Sequence, residues 1–353
     1  MCLVNLVKYN QECFLSIFGV FVAKWGKAFG EGFSENCFEI FPREKFIKFN
    51  IFDEILEKIP EYDHIFIVRP KALGEAYMFC YFYRALVKKY NAKNPCVVVS
   101  NFAQQSLLKV FGIDAEFIEF DINKKNQALK QRLYSYKRHI FHIYPNTLKE
   151  SMRLFSEFEE GMTYPVALKK TLDLEKFDEC DFKFDIQIKS SVGRKMQSMG
   201  LDIENLVVLV PEAFTIGSLP HSFWLSLAGE LQYMGYSVVF SLANNENLSI
   251  FTPNIFFDIE EVLYLASVSK GIVALRSGLC EPMTRFDSVM HVIYTSHRFN
   301  NVSSSRMLDF SRLTTYPMVN NKDIFEYDKS VLDYETLKNK IIEDFKSRME
   351  NEV

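Results

Sequence analysis

"HIFIVRPKALGEAYMF", residues 64–79, opens as an unbroken apolar run and then turns sharply. Apolar residues without alternation mark a strand buried on both faces, as in a parallel sheet. The strand delivers Arg69, Pro70 and Lys71 to its carboxyl end, and Gly74 permits a tight turn. Glu75 then falls in the first turn of the next helix, where the macrodipole favours an anion. Two readings stand side by side: a carboxylate that merely suits a helix start, or one presented at a ligand cleft.

Strand-like and helical runs go on alternating outward from this stretch. A helix over 75–90 follows it, then "PCVVVSN" (95–101), a helix over 102–111, "AEFIEFD" (115–121) and "HIFHIY" (139–144). Residues 150–200 read as charged, helical and linker-like. A second series begins with "NLVVLVPE" (205–212) and a helix over 220–234, with Ser218 as a candidate N-cap and Gly235 as a stop. It continues through "SVVFSLA" (237–243), "NIFFDI" (254–259), a helix over 260–269, "GIVALRSG" (271–278) and "VMHVIYTS" (289–296). The expected fold is α/β, with two doubly wound Rossmann-like domains facing a central cleft, where such folds bind ligands. The expected boundaries are 1–195 for the first domain with an N-terminal extension, 196–330 for the second, and 331–353 for a helix packing back on the body.

Composition narrows the function. At 353 residues, 48% hydrophobic and 24% charged, the chain suits two globular domains. A net charge of −4 argues against nucleic-acid binding, which needs a basic excess. Seven scattered cysteines without a CxxC spacing fit reduced thiols rather than disulfides or zinc. No apolar run reaches about 18 residues and no signal peptide is evident, so a cytoplasmic location is expected. Phe14, Phe18, Phe21, Trp25 and Phe29 recur at helical spacing and predict an N-terminal helix packed into a core. Lys124, Lys125, Lys130, Arg132, Lys137 and Arg138 form a basic stretch, ordinarily a solvated face, that could meet an anionic acceptor or membrane surface.

The second candidate motif is "ALRSGLCEPM", 274–283, where an apolar strand breaks into Arg-Ser-Gly and enters a helix. Backbone N–H groups across 277–280, the Ser277 hydroxyl and the Arg276 guanidinium suit a diphosphate, with Gly278 and Leu279 completing the turn. Glu281 would hold a ribose or cap the helix. Cys280 lies near a helix start that can lower a thiol pKa, although a structural thiol is the plainer reading. The loop 212–218, with Thr215 and Ser218, is expected opposite this turn. "FFDIEE" places Asp258 and Glu261 near a base or ribose. No GxGxxG or Walker sequence occurs. "DECD" (178–181) looks like an acidic metal motif but follows no apolar strand, so no metal is expected.

Together these motifs resemble a family. "IVRPKALGEAYMFCYFYRALVKKY" is similar to the opening of the bacterial ADP-heptose–lipopolysaccharide heptosyltransferases. "VVLVPEAFTIGSLPHSFWLSLAGELQYMGYSVVF" resembles their second-domain opening, and "ASVSKGIVALRSGLCEPMT" their sugar-nucleotide motif. The resemblance implies a GT-B glycosyltransferase whose N-terminal domain takes the acceptor and whose C-terminal domain takes a nucleoside-diphosphate sugar. Glu75 stands where the family has its catalytic aspartate, with Arg69, Lys71 and Gly74 on the acceptor side. Arg276 replaces an aspartate, Cys280-Glu281 replaces a histidine, and the family's phosphate-binding lysine has no match in 212–224, where Thr215, Ser218 or His221 stand instead. The implied acceptor is a polysaccharide or lipid-linked glycan of a bacterial capsule or lipooligosaccharide, with peripheral contact at the inner membrane. The implied mechanism is base-assisted direct displacement without a metal or other cofactor. Transfer of another phosphate-activated group, a sugar-nucleotide epimerase, and a non-catalytic nucleotide-sugar-binding subunit remain open.

Overall fold

The apolar runs become parallel strands, as their lack of alternation requires. A computed structural model describes residues 4–9, 12–17, 20–25, 38–40, 47–48, 62–69, 72–119, 139–142, 162–242, 256–298 and 302–351, the first five of these and 139–142 as strand backbone. The chain divides into two units. The first comprises Met1–Lys71, Val87–Phe102 and Ala115–Ile143; the second comprises Ala72–Leu86, Ala103–Asp114 and Tyr144–Val353.

The first unit holds two sheets. Strands β1 (Val4–Tyr9), β2 (Glu12–Ile17), β3 (Val20–Trp25) and β4 (Phe38–Ile40) form an antiparallel meander, and β5 (Ile47–Lys48) also pairs with β3. This corrects the expected N-terminal helix. Phe14 lies in β2 and Phe21 and Trp25 in β3, while Phe18 and Phe29 fall outside the described residues. Their spacing mimicked a helix, but the intervening Val, Ile and Phe residues favour strands. The second sheet is parallel, with β6 (His64–Ile67), β7 (Pro95–Val99), β8 (Glu116–Glu119) and β9 (His139–His142) in the order β8-β7-β6-β9. That is one half of a doubly wound fold, with its switch point between β6 and β9. Glu75 follows this strand in the sequence. The helix expected over 75–90 is two, α1 (Leu73–Cys80) and α2 (Tyr83–Tyr90); α3 (Phe102–Val110) follows β7.

In the second unit, α4 (Tyr164–Thr171) and α5 (Ile186–Ser198) precede a five-stranded parallel sheet. Its strands are β10 (Leu206–Val210), β11 (Ser237–Phe240), β12 (Gly271–Leu275), β13 (Val289–Tyr294) and β14 (Ile324–Asp328), in the order β11-β10-β12-β13-β14. The intervening helices are α6 (His221–Tyr233), α7 (Ile259–Val268), the single turn α8 (Cys280–Met283), α9 (Ser304–Ser311) and, last, α10 (Tyr334–Asn351). Gly235 ends α6 with φ +95°, a conformation glycine adopts without steric cost. Residues 256–258 form no strand, contrary to expectation; Asp258 instead occupies the N-cap of α7. Among the described residues no helix is long and apolar enough to cross a membrane. The basic stretch 124–138 lies outside the described residues.

One face of this sheet is covered by two helices. Val207, Leu209, Val273 and Leu275 pack with Phe223, Trp224, Leu227 and Leu231 of α6 and with Leu337, Ile341 and Phe345 of α10. These helical residues recur three or four apart, which forms one apolar stripe per helix. A Cβ on Gly271 would lie 2.5 Å from the Phe345 ring, so α10 sits tightly on the start of β12. Phe345→Ala should therefore cost about 3–5 kcal/mol of stability, read as an earlier urea midpoint; an unchanged midpoint would show that α10 contributes little to this core.

Candidate active site

The strand order of the second unit locates its topological switch point. β11 lies to one side of β10 and β12 to the other, so the switch point is between β10 and β12. Ligands of open α/β sheets bind beyond the carboxyl ends of the strands at this point. The two segments that flank it are residues 211–220 after β10 and 276–279 after β12. The first is pinned across the end of the sheet to the segment after β13: Gly217 N–H donates to the Ser296 carbonyl at 2.9 Å, Arg298 N–H to the Thr215 carbonyl at 2.8 Å, and the Thr295 hydroxyl to the Gly217 carbonyl at 2.6 Å. Because β12 separates β10 from β13, this loop passes the end of β12. Thr215 and Ser218 are exposed on it, and His221 is exposed at the start of α6. Pro220, not Ser218, is the N-cap of α6.

The turn after β12 is built around a buried ion pair. Arg276 Nη2 donates to Glu281 Oε1 at 2.6 Å, with the two side chains each only 7% exposed. Its other donors reach the Ser277 carbonyl at 2.7 Å and the Ser311 carbonyl at 3.2 Å, and the Tyr316 hydroxyl lies 3.5 Å away. Burial opposes the guanidinium charge, but Glu281 and neighbouring phenols outweigh it and hold the pKa well above the usual value. The Ser277 hydroxyl accepts from Leu279 N–H at 3.4 Å, and Cys280 N–H donates to the Ser277 carbonyl at 3.0 Å. Cys280 is fully buried with its thiol 3.3 Å from the Leu275 carbonyl; burial pushes its pKa up, against the lowering a helix start would bring. Ser277, Gly278 and Leu279 are half-buried.

The start of α1 meets this turn. Gly74, in the first turn of α1, lies so close to the Glu281 carboxylate that a Cβ there would sit 2.9–3.0 Å from it. A Cβ on Gly278 would lie 2.7 Å from the Gly74 nitrogen. Neither glycine has a left-handed φ. What they permit is close approach, not the tight turn expected of Gly74. Ala72 is anchored at its carbonyl by the buried Gln104 side chain at 3.1 Å. The half-buried Glu75 accepts from the Tyr164 hydroxyl at 3.3 Å. Burial above all raises the Tyr316 pKa, Arg276 opposes it, and Glu281 and Glu75 add to the rise. Glu75, Arg276, Glu281, Tyr164 and Tyr316 thus form one neighbourhood. Sequence reasoning missed both tyrosines, since Tyr164 stands 89 residues from its partner; the Tyr164-Pro165 helix start was the one local sign.

The remaining expected residues lie elsewhere. Arg69 is exposed at the end of β6 in the first unit, and Lys71 is outside the described residues. Asp258 is exposed, whereas Glu261 is 6% exposed. Glu261 accepts from Lys195 at 2.5 Å, from Ser191 at 2.7 Å and from the Asp258 N–H at 2.9 Å. Asp178 of the acidic stretch accepts from Ala85 N–H at 2.7 Å.

No protein-family model matches the chain, and no curated protein matches it in sequence. Solved structures do. The E. coli ADP-heptose lps heptosyltransferase II is 16% identical, with 82% of this chain and 99% of that chain covered and a TM-score of 0.54. The glycosyl transferase family 9 protein from Veillonella parvula is 13% identical, with 81% and 97% covered and a TM-score of 0.55. The chain has their fold. It is the GT-B fold that the sequence resemblance implied.

Within that fold, the Lys195–Glu261 contact ties α5 to α7. Burial raises the Glu261 carboxyl pKa, but Lys195, Ser191 and the Asp258 N–H outweigh it and hold the pKa below its ordinary 4.5. The stabilisation is therefore complete above that value and is lost as pH falls through the lowered pKa. Lys195→Ala should cost about 1–3 kcal/mol at pH 7, with the gap to the unsubstituted protein narrowing as pH falls through the lowered Glu261 pKa. A gap independent of pH in thermal melts would assign the loss to packing.

Proposed function

We propose that the protein is a glycosyltransferase that moves a sugar from a nucleoside-diphosphate sugar to a bacterial surface glycan of capsule or lipooligosaccharide type. The observation that carries this reading is the β10/β12 switch point, flanked by 211–220 and 276–279, in a fold shared with two glycosyltransferases. The diphosphate would lie along the half-buried Ser277-Gly278-Leu279 turn, with Thr215 and Ser218 on the facing loop. Arg276, enclosed within its turn and paired with Glu281, shapes that turn and makes no direct bond to the diphosphate. Arg69 and Lys71 belong to the acceptor side.

Glu75 is the general base in this reading. It takes the proton of the acceptor hydroxyl as that oxygen attacks the anomeric carbon and the nucleoside diphosphate departs. The Tyr164 hydroxyl donates to one of its carboxylate oxygens and so orients the group. Backbone N–H dipoles and the Ser277 hydroxyl would stabilise the departing diphosphate without a divalent metal, so transfer should survive EDTA.

Two measurements test the proposal. Thermal melts with ADP, GDP, UDP and their sugar conjugates should reveal at least one stabilising nucleotide, by mass action. With that conjugate and a bacterial surface-glycan extract, Glu75→Gln should lower the rate of nucleoside diphosphate release about 10²–10⁴-fold while nucleotide affinity stays nearly intact. Near-normal turnover by Glu75→Gln would reduce the carboxylate to a helix-terminus residue. Nucleotide binding without any turnover by the unsubstituted protein would favour a non-catalytic binding subunit.

A further inference from the structure

Glu281 is an unusual carboxylate to leave inside a protein. One oxygen takes the Arg276 guanidinium at 2.6 Å, yet Oε2 is buried without a hydrogen-bond partner. An unsatisfied buried charged atom carries a desolvation penalty, so its position calls for a physical reason. The carboxylate lies against Gly74, in the first turn of the eight-residue helix α1. The positive end of that helix attracts an anion there. Glu281 therefore sits between two positive partners, the guanidinium from its own turn and the amino end of α1. The contact is close because both turns lack a Cβ where they meet, at Gly74 and at Gly278. Residue 75 follows directly.

We propose that the Arg276–Glu281 pair is a positioning device for Glu75. The pair holds the start of α1 against the 276–279 turn and so sets the distance between the base and the departing diphosphate. Arg276 is fixed in turn by the Ser311 carbonyl and lies beside the Tyr316 hydroxyl, so the device is anchored to the end of α9 and the segment after it. The inference rests on the glycosyltransferase reading insofar as Glu75 is its base, but the tether itself can be measured without turnover. A displacement of about 1 Å at such a site can cost roughly 10²-fold in rate.

The test uses two variants of the full chain. Glu281→Gln keeps the shape and removes the charge; Gly278→Ala keeps the ion pair and inserts a methyl group against the Gly74 nitrogen. Hydrogen exchange followed by mass spectrometry should show faster exchange in peptides covering 72–82 for both variants, with peptides from α6 unchanged. Using the nucleotide sugar that stabilises the unsubstituted protein, kcat should fall about 10–100-fold in Glu281→Gln. Its affinity for the matching nucleoside diphosphate should change less than threefold, and Glu281→Asp should recover part of the rate. Unchanged exchange at 72–82 in both variants overturns the tether. A loss in Glu281→Gln that falls equally on nucleotide affinity and kcat overturns the positioning role. If the unsubstituted protein turns over no donor, the glycosyltransferase reading falls, and the exchange result alone decides the tether. If Glu281→Gln does not fold, Gly278→Ala carries the exchange comparison.

Discussion

Every residue of β10 and of β12 is buried, because helices α6 and α10 close one face of the second sheet and α7 packs against β10 on the other. A sheet sealed in this way can offer a ligand little beyond its strand ends. The amino ends carry α10 and the tight seat of Phe345 on Gly271. The carboxyl ends carry short loops with half-buried serine and glycine and exposed threonine. Chemistry is thereby confined to one edge, and the switch in strand order selects the place along it.

Much of this edge was legible in the sequence. Short unbroken apolar runs rich in Val, such as LVVLV and GIVAL, read as strands covered on both faces, and where each run stops is where its loop begins. Glu75 and the Arg276–Glu281 segment could be placed at such loops from spacing alone. What spacing could not convey was which groups touch. Gly74 reads as a turn residue in one dimension, whereas its role is to let a carboxylate from far along the chain lie against it. Arg276 reads as an anion ligand because exposed arginines so often are; here five-residue spacing hides a partner that encloses it. The N-terminal aromatics misled for a different reason, since residues three or four apart in adjoining short strands imitate a helical face.

Buried charge recurs as a way of joining segments in the second unit. Arg276–Glu281 closes the turn after β12 beside Gly74 of α1, and Lys195–Glu261 links α5 to α7. Pairs of this kind contribute little net stability compared with apolar groups of the same shape. Their value lies in geometry, because each partner can be satisfied in few arrangements. Of the two, only the pair beside Gly74 has a candidate base for a neighbour, and it also holds the carboxylate oxygen left without a partner.

The second unit is assembled from distant parts of the chain. Residues 72–86 and 103–114 belong to it, yet they are synthesised before any of its strands, and α10 is synthesised after all of them. During translation the face formed by Val207, Leu209, Val273 and Leu275 therefore stays partly bare until Phe345 has been added. The early helix α1 must likewise wait for residue 281 before its first turn has anything to rest against. Such a chain cannot complete its domains strictly in order of synthesis, and its apolar intermediates would be natural clients for chaperones.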